Sequence, residues 1–266
     1  MTSLPLNKAL TDKEGNMPSD ICVNKIIRSS LLSEHNVTHG FSTKELGNMS
    51  LDRSQKGRAA ANQEAFFKKL GIDLNNAAVF MPPVQHTAGI AILLKKETSK
   101  GKIHLTVKSP EIVILEKDKD RNAFDSCIAN GSHSYLAILP ADCAPVMFFD
   151  EITGWYGLIH VGAVGLAKNI LVKTFAFLKK HCNLEADRLG CYIGPCICDD
   201  CYSHGVDLKG LITTQLLGLG VKQDKLEASQ FCTAHDEKLF FSHHRAKKRG
   251  QDQNEGRNMA IIGLKQ

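Results

Sequence analysis

The sequence predicts an α/β (α+β) fold, a single layered domain with mixed β-sheets flanked by outer helices. Short apolar runs of strand length recur along the chain, each closed by Gly, Pro or a polar turn. Between them lie three longer segments whose apolar residues repeat near every 3.6 positions. With 266 residues, 43% hydrophobic and 23% charged, the chain can bury one sizeable core, and no internal repeat or low-complexity linker divides it.

In chain order, residues 1 to 20 read as a flexible tail and 21 to 266 as one domain. Ile21–Leu32 mixes apolar and polar residues as an early strand or pair of strands, and Val37–Ser42 is a strand entering a loop. Lys56–Leu70 is helical, with Ala59, Ala60, Phe66, Phe67 and Leu70 on one face and Gly71 as its stop. Ala77–Met81 is a strand ended by Pro82-Pro83. Ile90–Leu115 reads strand, turn, strand, with turns at Thr98–Gly101 and Lys108–Pro110, and Glu116–Asn122 is charged and exposed. Tyr135–Leu139 and Pro145–Phe149 are buried strands on either side of Cys143, followed by a strand at Gly157–Val161. Leu166–His181 is a helix, Leu189–Ile193 a strand, and Asp207–Leu217 a helix stopped by Gly218. Phe240–His243 and Met259–Leu264 close the fold as strands.

The balance of charge and aromatics narrows the function. A net charge of +5 is spread along the chain, so it suits an anionic small molecule as readily as nucleic acid. The densest basic run, Arg245–Arg249, reads as a solvated loop. One Trp and four Tyr give no stacking array for single-stranded nucleic acid, and neither a helix-turn-helix signature nor a basic stripe is present. No apolar stretch approaches the roughly 20 residues of a membrane span. Nine cysteines without a secretory leader predict a cytoplasmic protein with mostly free thiols. The partners this leaves are small molecules, and the chain is expected as a monomer or homodimer.

Three residues carry the chemistry. His86, Cys143 and His160 each end a short apolar run beside a sharp break. A thiolate and two imidazoles are ligands zinc prefers, and three protein ligands leave a coordination position open, the catalytic arrangement. The same groups could instead form a thiol nucleophile with a histidine base, and a lone Cys143 or His86 could be purely structural. After His160, Gly162 and Gly165 mark a strand-to-helix turn where backbone N–H groups can meet an anion. Cys191, Cys196, Cys198 and Cys201 form a second cluster. Their run lacks the paired spacings of common zinc modules, so they are expected as free thiols in a packed loop.

Ten short segments, in order, resemble one family: His39–Lys44, Gln85-His86, Asp125, Ala141–Pro145, His160–Gly162, Ile193–Pro195, Cys201-Tyr202, Cys232-Thr233, Phe241–Arg245 and Gly256-Arg257. The chain is similar to the YfiH-like or laccase-domain family, which also carries the labels multicopper polyphenol oxidoreductase, peptidoglycan editing factor and purine nucleoside phosphorylase family of zinc enzymes. Cys143 and His160 lie 17 positions apart and Asp125 and Cys143 18, in agreement with it. The resemblance implies a YfiH-like fold with His86, Cys143 and His160 as metal ligands. It also implies phosphorolysis of adenosine, inosine and methylthioadenosine, with adenosine deamination besides. The departures are Ala163-Val164 for the family's Trp-Arg, Lys44 for its Arg, Ser203-His204-Gly205 for its Glu-Val-Gly, and a compressed Gln85-His86. Loss of the Arg removes a bidentate phosphate contact, and Lys44 keeps charge without the planar fork.

The expected enzyme is thus a zinc-dependent purine nucleoside phosphorylase, with Zn2+ on His86, Cys143 and His160. Asp125 is its candidate general acid or base, and Asp142 or Asp125 is placed to orient the histidines. Ser42, Lys44, Gln85, Gly162, Arg245 and Arg257 are the candidate substrate and phosphate contacts. Two rival readings are a metal-free cysteine hydrolase acting on a peptidoglycan precursor and a nucleoside-binding protein with little turnover. Copper is the weaker metal candidate, because one three-ligand site lacks the several His clusters of a multicopper oxidase.

Overall fold

A computed structural model describes residues 20–50, 56–84, 86, 88–93, 124–203, 205–251 and 255–265. The tail before Asp20, the strand and turns beyond Leu93, the charged stretch 116–122 and Gln85 lie outside the described residues.

Two six-stranded sheets stack face to face with helices on both outer sides. Sheet A takes β1 (Asp20–Val23), β2 (Ile26–Ser29), β3 (Val37–Ser42), β4 (Ala78–Phe80), β7 (Ser134–Ile138) and β12 (Ala260–Leu264), in the order β1-β2-β3-β12-β7-β4. Sheet B takes β5 (Ile90–Leu93), β6 (Ser126–Asn130), β8 (Ala144–Phe149), β9 (Trp155–Val161), β10 (Gly190–Ile193) and β11 (Leu226–Ala228), in the order β11-β10-β8-β9-β6-β5. Both sheets are mixed: β4 pairs β7 in parallel, as do β5 with β6 and β10 with β11, and the other pairs are antiparallel.

Because side chains alternate across a strand, each strand of sheet B feeds two cores. Val146, Phe148, Ile159, Val161 and Cys191 face outward onto α4 (Ile170–Cys182) and α5 (Leu208–Gly218). Met147, Phe149, Tyr156 and Leu158 face inward to Phe41, Leu136, Ile138 and Ile262 of sheet A. The outer face of sheet A, with Tyr135, Ala137 and Ile261, is covered by Phe66, Phe67 and Leu70 of α2 (Lys56–Leu70). Strands buried on both faces read as continuous apolar runs, which is why β7, β8 and β9 stand out in the sequence. Gly71 ends α2 at a φ of 77°. Among the described residues no helix is long and apolar enough to cross a membrane.

Four local expectations are corrected. Ser30–Leu32 is not strand but belongs to α1 (Ser30–Ser33), capped by the Ser29 hydroxyl. The helix expected over 166–181 is two, α3 (Ala163–Ala167) and α4, separated at Asn169, which sits at a φ of 58°. Phe240–His243 is not a closing strand: Ser242 caps α6 (His243–Lys248) by accepting from the Arg245 N–H. Arg245–Arg249, expected as a loop, lies mostly on that helix. Strands β6 and β11 were not foreseen.

Candidate functional site

The cavity lies where the loops leaving β7, β9 and β10 meet α6 and encloses about 800 Å³. Cys143 enters from the turn before β8, His160 from the end of β9 and His86 from the segment before β5. The ligand atoms of His86, Cys143 and His160 lie within 4.8 Å of one another. The sequence therefore named all three members of the cluster.

Two of these positions rest on strained backbone. His86 has a φ of 53° and Asp142, next to Cys143, a φ of 103°, regions a side chain seldom enters. Such strain costs about 1–3 kcal/mol per residue and persists only where the surroundings hold it. For His86 the holding groups are the Asp125 carboxylate, which accepts its N–H at 3.2 Å, and Lys168, whose Nζ donates to its carbonyl at 2.9 Å. The helix break at Asn169 follows directly after this lysine. Asp142 accepts from the Thr233 hydroxyl at 2.7 Å and from the His244 N–H and Nδ1 at 2.7 and 3.1 Å. Burial raises the Asp142 carboxyl, and the hydrogen bonds from His244 and Thr233 outweigh it, leaving it below its usual range.

Asp125 is almost wholly buried, and its Oδ1 accepts from His160 Nδ1 at 2.8 Å. That bond engages Nδ1 and leaves Nε2 to face Cys143. Burial lowers the His160 pKa, but the bonds to Asp125 and Cys143 more than reverse this and push it up to about 9. His86 is lowered, first by burial and then by the His160 charge. Asp125 does not line the cavity. Its Oδ1 meets the His86 N–H and His160 Nδ1, so it stands behind the two histidines.

The residues fit a metal ion on two observations. Among the described residues His86 Nδ1 is buried without a hydrogen-bond partner, a costly state for a polar nitrogen unless an ion takes it. Gly162 leaves room beside it: a Cβ there would sit 2.7 Å from Cys143 Sγ and 3.2 Å from His86 Nδ1. Thiolate plus two imidazoles is a zinc donor set.

The remaining candidates divide. Arg257 lines the cavity and pairs with Glu255. Gly162 caps α3. Ser42 is fully buried, and its oxygen accepts from the Met259 N–H at 2.9 Å, stitching β3 to β12. Arg245 donates to the carbonyls of Thr233, Ala234 and Phe240, so its guanidinium braces a loop, and it is not among the residues lining the cavity. Lys44 sits over the Phe241 ring at 5.5 Å and lines a shallower depression apart from the cluster. Residues the sequence did not single out as site groups line the cavity instead: Tyr202, His243, His244, Lys247 and Lys248. Tyr202 meets His244 edge-on at 4.8 Å between centroids. The positions of Lys247 and Lys248 were hidden because a basic run reads as solvent-facing until its helix is seen to border a cavity.

A second group of ligating side chains stands beside the cavity. Cys198, Cys201, Cys232 and His235 bring their ligand atoms within 4.8 Å of one another. Cys191 and Cys196, the other members of the sequence cluster, are buried, Cys191 on β10, and both pack in the core beneath α4 and α5.

A family model described as multi-copper polyphenol oxidoreductase laccase matches residues 34–206 and 203–265. Among curated relatives, the purine nucleoside phosphorylase YlmD of Bacillus subtilis (strain 168) is 28% identical over 175 residues, 54% of this chain and 60% of that protein. The purine nucleoside phosphorylase of Staphylococcus epidermidis is 29% identical over 178 residues, 57% of this chain and 64% of its own. The chain thus spans about 60% of the length of the relatives it matches. Among solved structures, the Bacillus licheniformis hypothetical protein YfiH superposes with a TM-score of 0.72 at 22% identity, covering 91% of this chain and 97% of that one. YlmD from Geobacillus stearothermophilus gives 0.72 at 22%, covering 92% and 97%.

Proposed function

The chain belongs to the laccase-domain, YfiH-like family, and from that premise we propose that it is a zinc-dependent purine nucleoside phosphorylase. The observation that carries the reading is the cluster of His86, Cys143 and His160 at the wall of a cavity that Lys247, Lys248 and Arg257 also line. Zinc on those three ligands supplies Lewis acidity and an activated water. The chain's own groups supply the rest. Lys247 and Lys248, exposed at the rim, and the half-buried Arg257 gather phosphate at the cavity by charge. They stand in for the cation missing at Val164, which itself lines the cavity. Tyr202 and His244 offer aromatic surface for the purine. Asp125 fixes the His160 tautomer, and Asp142 holds the His244 ring through a carboxylate kept ionised. Phosphate attacks the ribose C1′ as the C–N bond breaks, and the purine leaves with a proton. Adenosine, inosine and methylthioadenosine are the proposed substrates, with deamination of adenosine a second reaction of the same pocket. The protein is proposed to work in the cytoplasm as a monomer or homodimer, with residues before 21 as a tail to one domain.

A thiol hydrolase is the rival, favoured by one observation: Cys143, His160 and Asp125 stand in sequence as nucleophile, base and orienting carboxylate. Two measurements separate the readings. Elemental analysis of the purified protein and of Cys143→Ala, combined with adenosine-plus-phosphate assays, should find zinc at the cluster and release of adenine with ribose 1-phosphate. Turnover of adenosine that survives complete removal of metal sinks the zinc reading.

A further inference from the structure

We propose that Cys198, Cys201, Cys232 and His235 form a second, closed zinc site that staples the loop after β10 to the loop after β11. Unlike the cavity cluster it offers four protein ligands, three thiolates and one imidazole, the complement of a structural tetrahedral site. The spacing is right on both sides: Cys198-Asp-Asp-Cys201 supplies one pair and Cys232-Thr-Ala-His235 the other. Each pair is a turn that brings its two ligands to one face. The Cys201 N–H donates to the Cys198 carbonyl at 3.2 Å, and the Asp236 N–H to the Cys232 carbonyl at 2.9 Å.

One sulfur, that of Cys232, is held by main-chain donors. Cys232 Sγ accepts two backbone N–H groups, from Cys198 at 3.3 Å and from His235 at 3.4 Å. Donors aimed at a sulfur stabilise it as an anion and orient it as a ligand. His235 Nδ1 stands 3.6 Å from Cys198 Sγ. The two loops are already in register: Cys196 and Cys232 form an isolated parallel bridge, and the Thr233 N–H donates to the Cys196 carbonyl at 3.1 Å. Arg245 holds the carbonyls of Thr233 and Ala234 from outside.

The staple would position the cavity. The first loop carries Asp200, Cys201 and Tyr202 into the cavity wall. The second carries Thr233, whose hydroxyl holds the strained Asp142 beside Cys143. One ion would thus fix the aromatic wall and the ligand turn together, and its role is positional.

The test must separate this site from the cavity cluster, on which it does not depend. In the triple variant His86→Ala, Cys143→Ala, His160→Ala, purified without chelator, we expect about one zinc per chain. X-ray absorption of that zinc should show three sulfur neighbours and one nitrogen. Adding Cys198→Ser with Cys201→Ser should remove it. A second measurement needs no variant. In the unaltered protein Cys198 and Cys201 should resist alkylation and become reactive when a strong chelator is added, read by mass mapping. A triple variant without metal, equal alkylation with and without chelator, or a disulfide between any two of these cysteines in freshly purified protein would each overturn the proposal.

Discussion

The cavity cluster and the loop cluster draw on the same two residue types and differ in ligand number, support and consequence. His86, Cys143 and His160 come from three separate segments, and two of their backbone positions are strained or adjoin strain. The loop cluster comes from two tight turns with short spacings and backbone N–H groups aimed at one sulfur. Three ligands on a strained frame beside a cavity suit chemistry. Four ligands on relaxed turns suit cohesion. Carboxylates serve both: Asp125 and Asp142 brace the cavity side, and Asp236 accepts the Cys232 N–H at 2.9 Å on the loop side.

The largest expected effect falls on the loop side. Cys232→Ser should lower unfolding stability by about 4 kcal/mol or more, the scale of losing a structural metal, measured by denaturant titration with metal content followed in parallel. Cys143→Ala should leave stability within about 1 kcal/mol, the range of an ordinary substitution, and abolish turnover. Equal loss of stability in the two variants would break the comparison.

Acid sharpens it from a third place. His39 is buried in β3, with Nε2 accepting from the Ser29 N–H at 3.0 Å. Burial and the Arg28 charge depress its pKa from 6.5 to about 4. The unfolded chain therefore binds a proton below about pH 6.5 that the folded chain refuses until about pH 4. Stability from this group is fully present above pH 6.5 and falls as the pH drops through that window, by about 3 kcal/mol in all. His39→Gln should flatten this part of the pH–stability curve. If the slope is unchanged in the variant, His39 is not a group through which acid acts.

Smaller effects probe the cavity side alone. Asp125→Asn should cost roughly 10- to 100-fold in metal affinity or kcat, the usual toll of removing a carboxylate behind a ligating histidine, with stability moving less. A metal-replete variant with unaltered kcat and affinity would show that Asp125 orients nothing. Gly162→Ala places a methyl against Cys143 Sγ and the His86 ring, so zinc affinity should fall while the far loop cluster keeps its ion. The smallest change is Lys247→Ala, expected to raise KM for phosphate about tenfold with kcat nearly constant, since it removes one attraction of about 1.4 kcal/mol. An unaltered KM would take Lys247 out of the phosphate contacts.

Much of this was legible in the sequence, for reasons that are local. Val37–Ser42 and Lys56–Leu70 carry their periodicity and stop signals within themselves, and both elements form as read. The three cavity ligands were readable because each ends an apolar run. What escaped depends on distant partners. Strand β11 is three residues defined by pairing with β10 and by Glu227, which accepts from the Ser29 hydroxyl and the Ser30 and Leu31 N–H groups where β2 of the other sheet passes into α1. The split between α3 and α4 answers to His86, whose carbonyl Lys168 reaches across more than 80 positions. The loop cluster was missed for the same reason. Cys191 and Cys196 drew attention as neighbours of Cys198 and Cys201, although both point into the core, and the true second pair lies some thirty residues further on. Arg245 and Lys44 have the right charge for phosphate, but only packing shows that one braces carbonyls and the other rests on Phe241.

The place of β12 bears on how the protein is made. It lies in the middle of sheet A, hydrogen-bonded to β3 on one side and β7 on the other, yet it leaves the ribosome after every other described strand. Until Ala260–Leu264 emerge, β3 and β7 wait as two bare edges, more than 200 and more than 100 residues after their own synthesis. At elongation rates of about 5–20 residues per second that wait is on the order of 10 s or longer for β3, and unpaired edges invite pairing with other chains. Nascent chains halted before Ala260 should therefore bind chaperones and aggregate when released, and chains extended past Leu264 should fold.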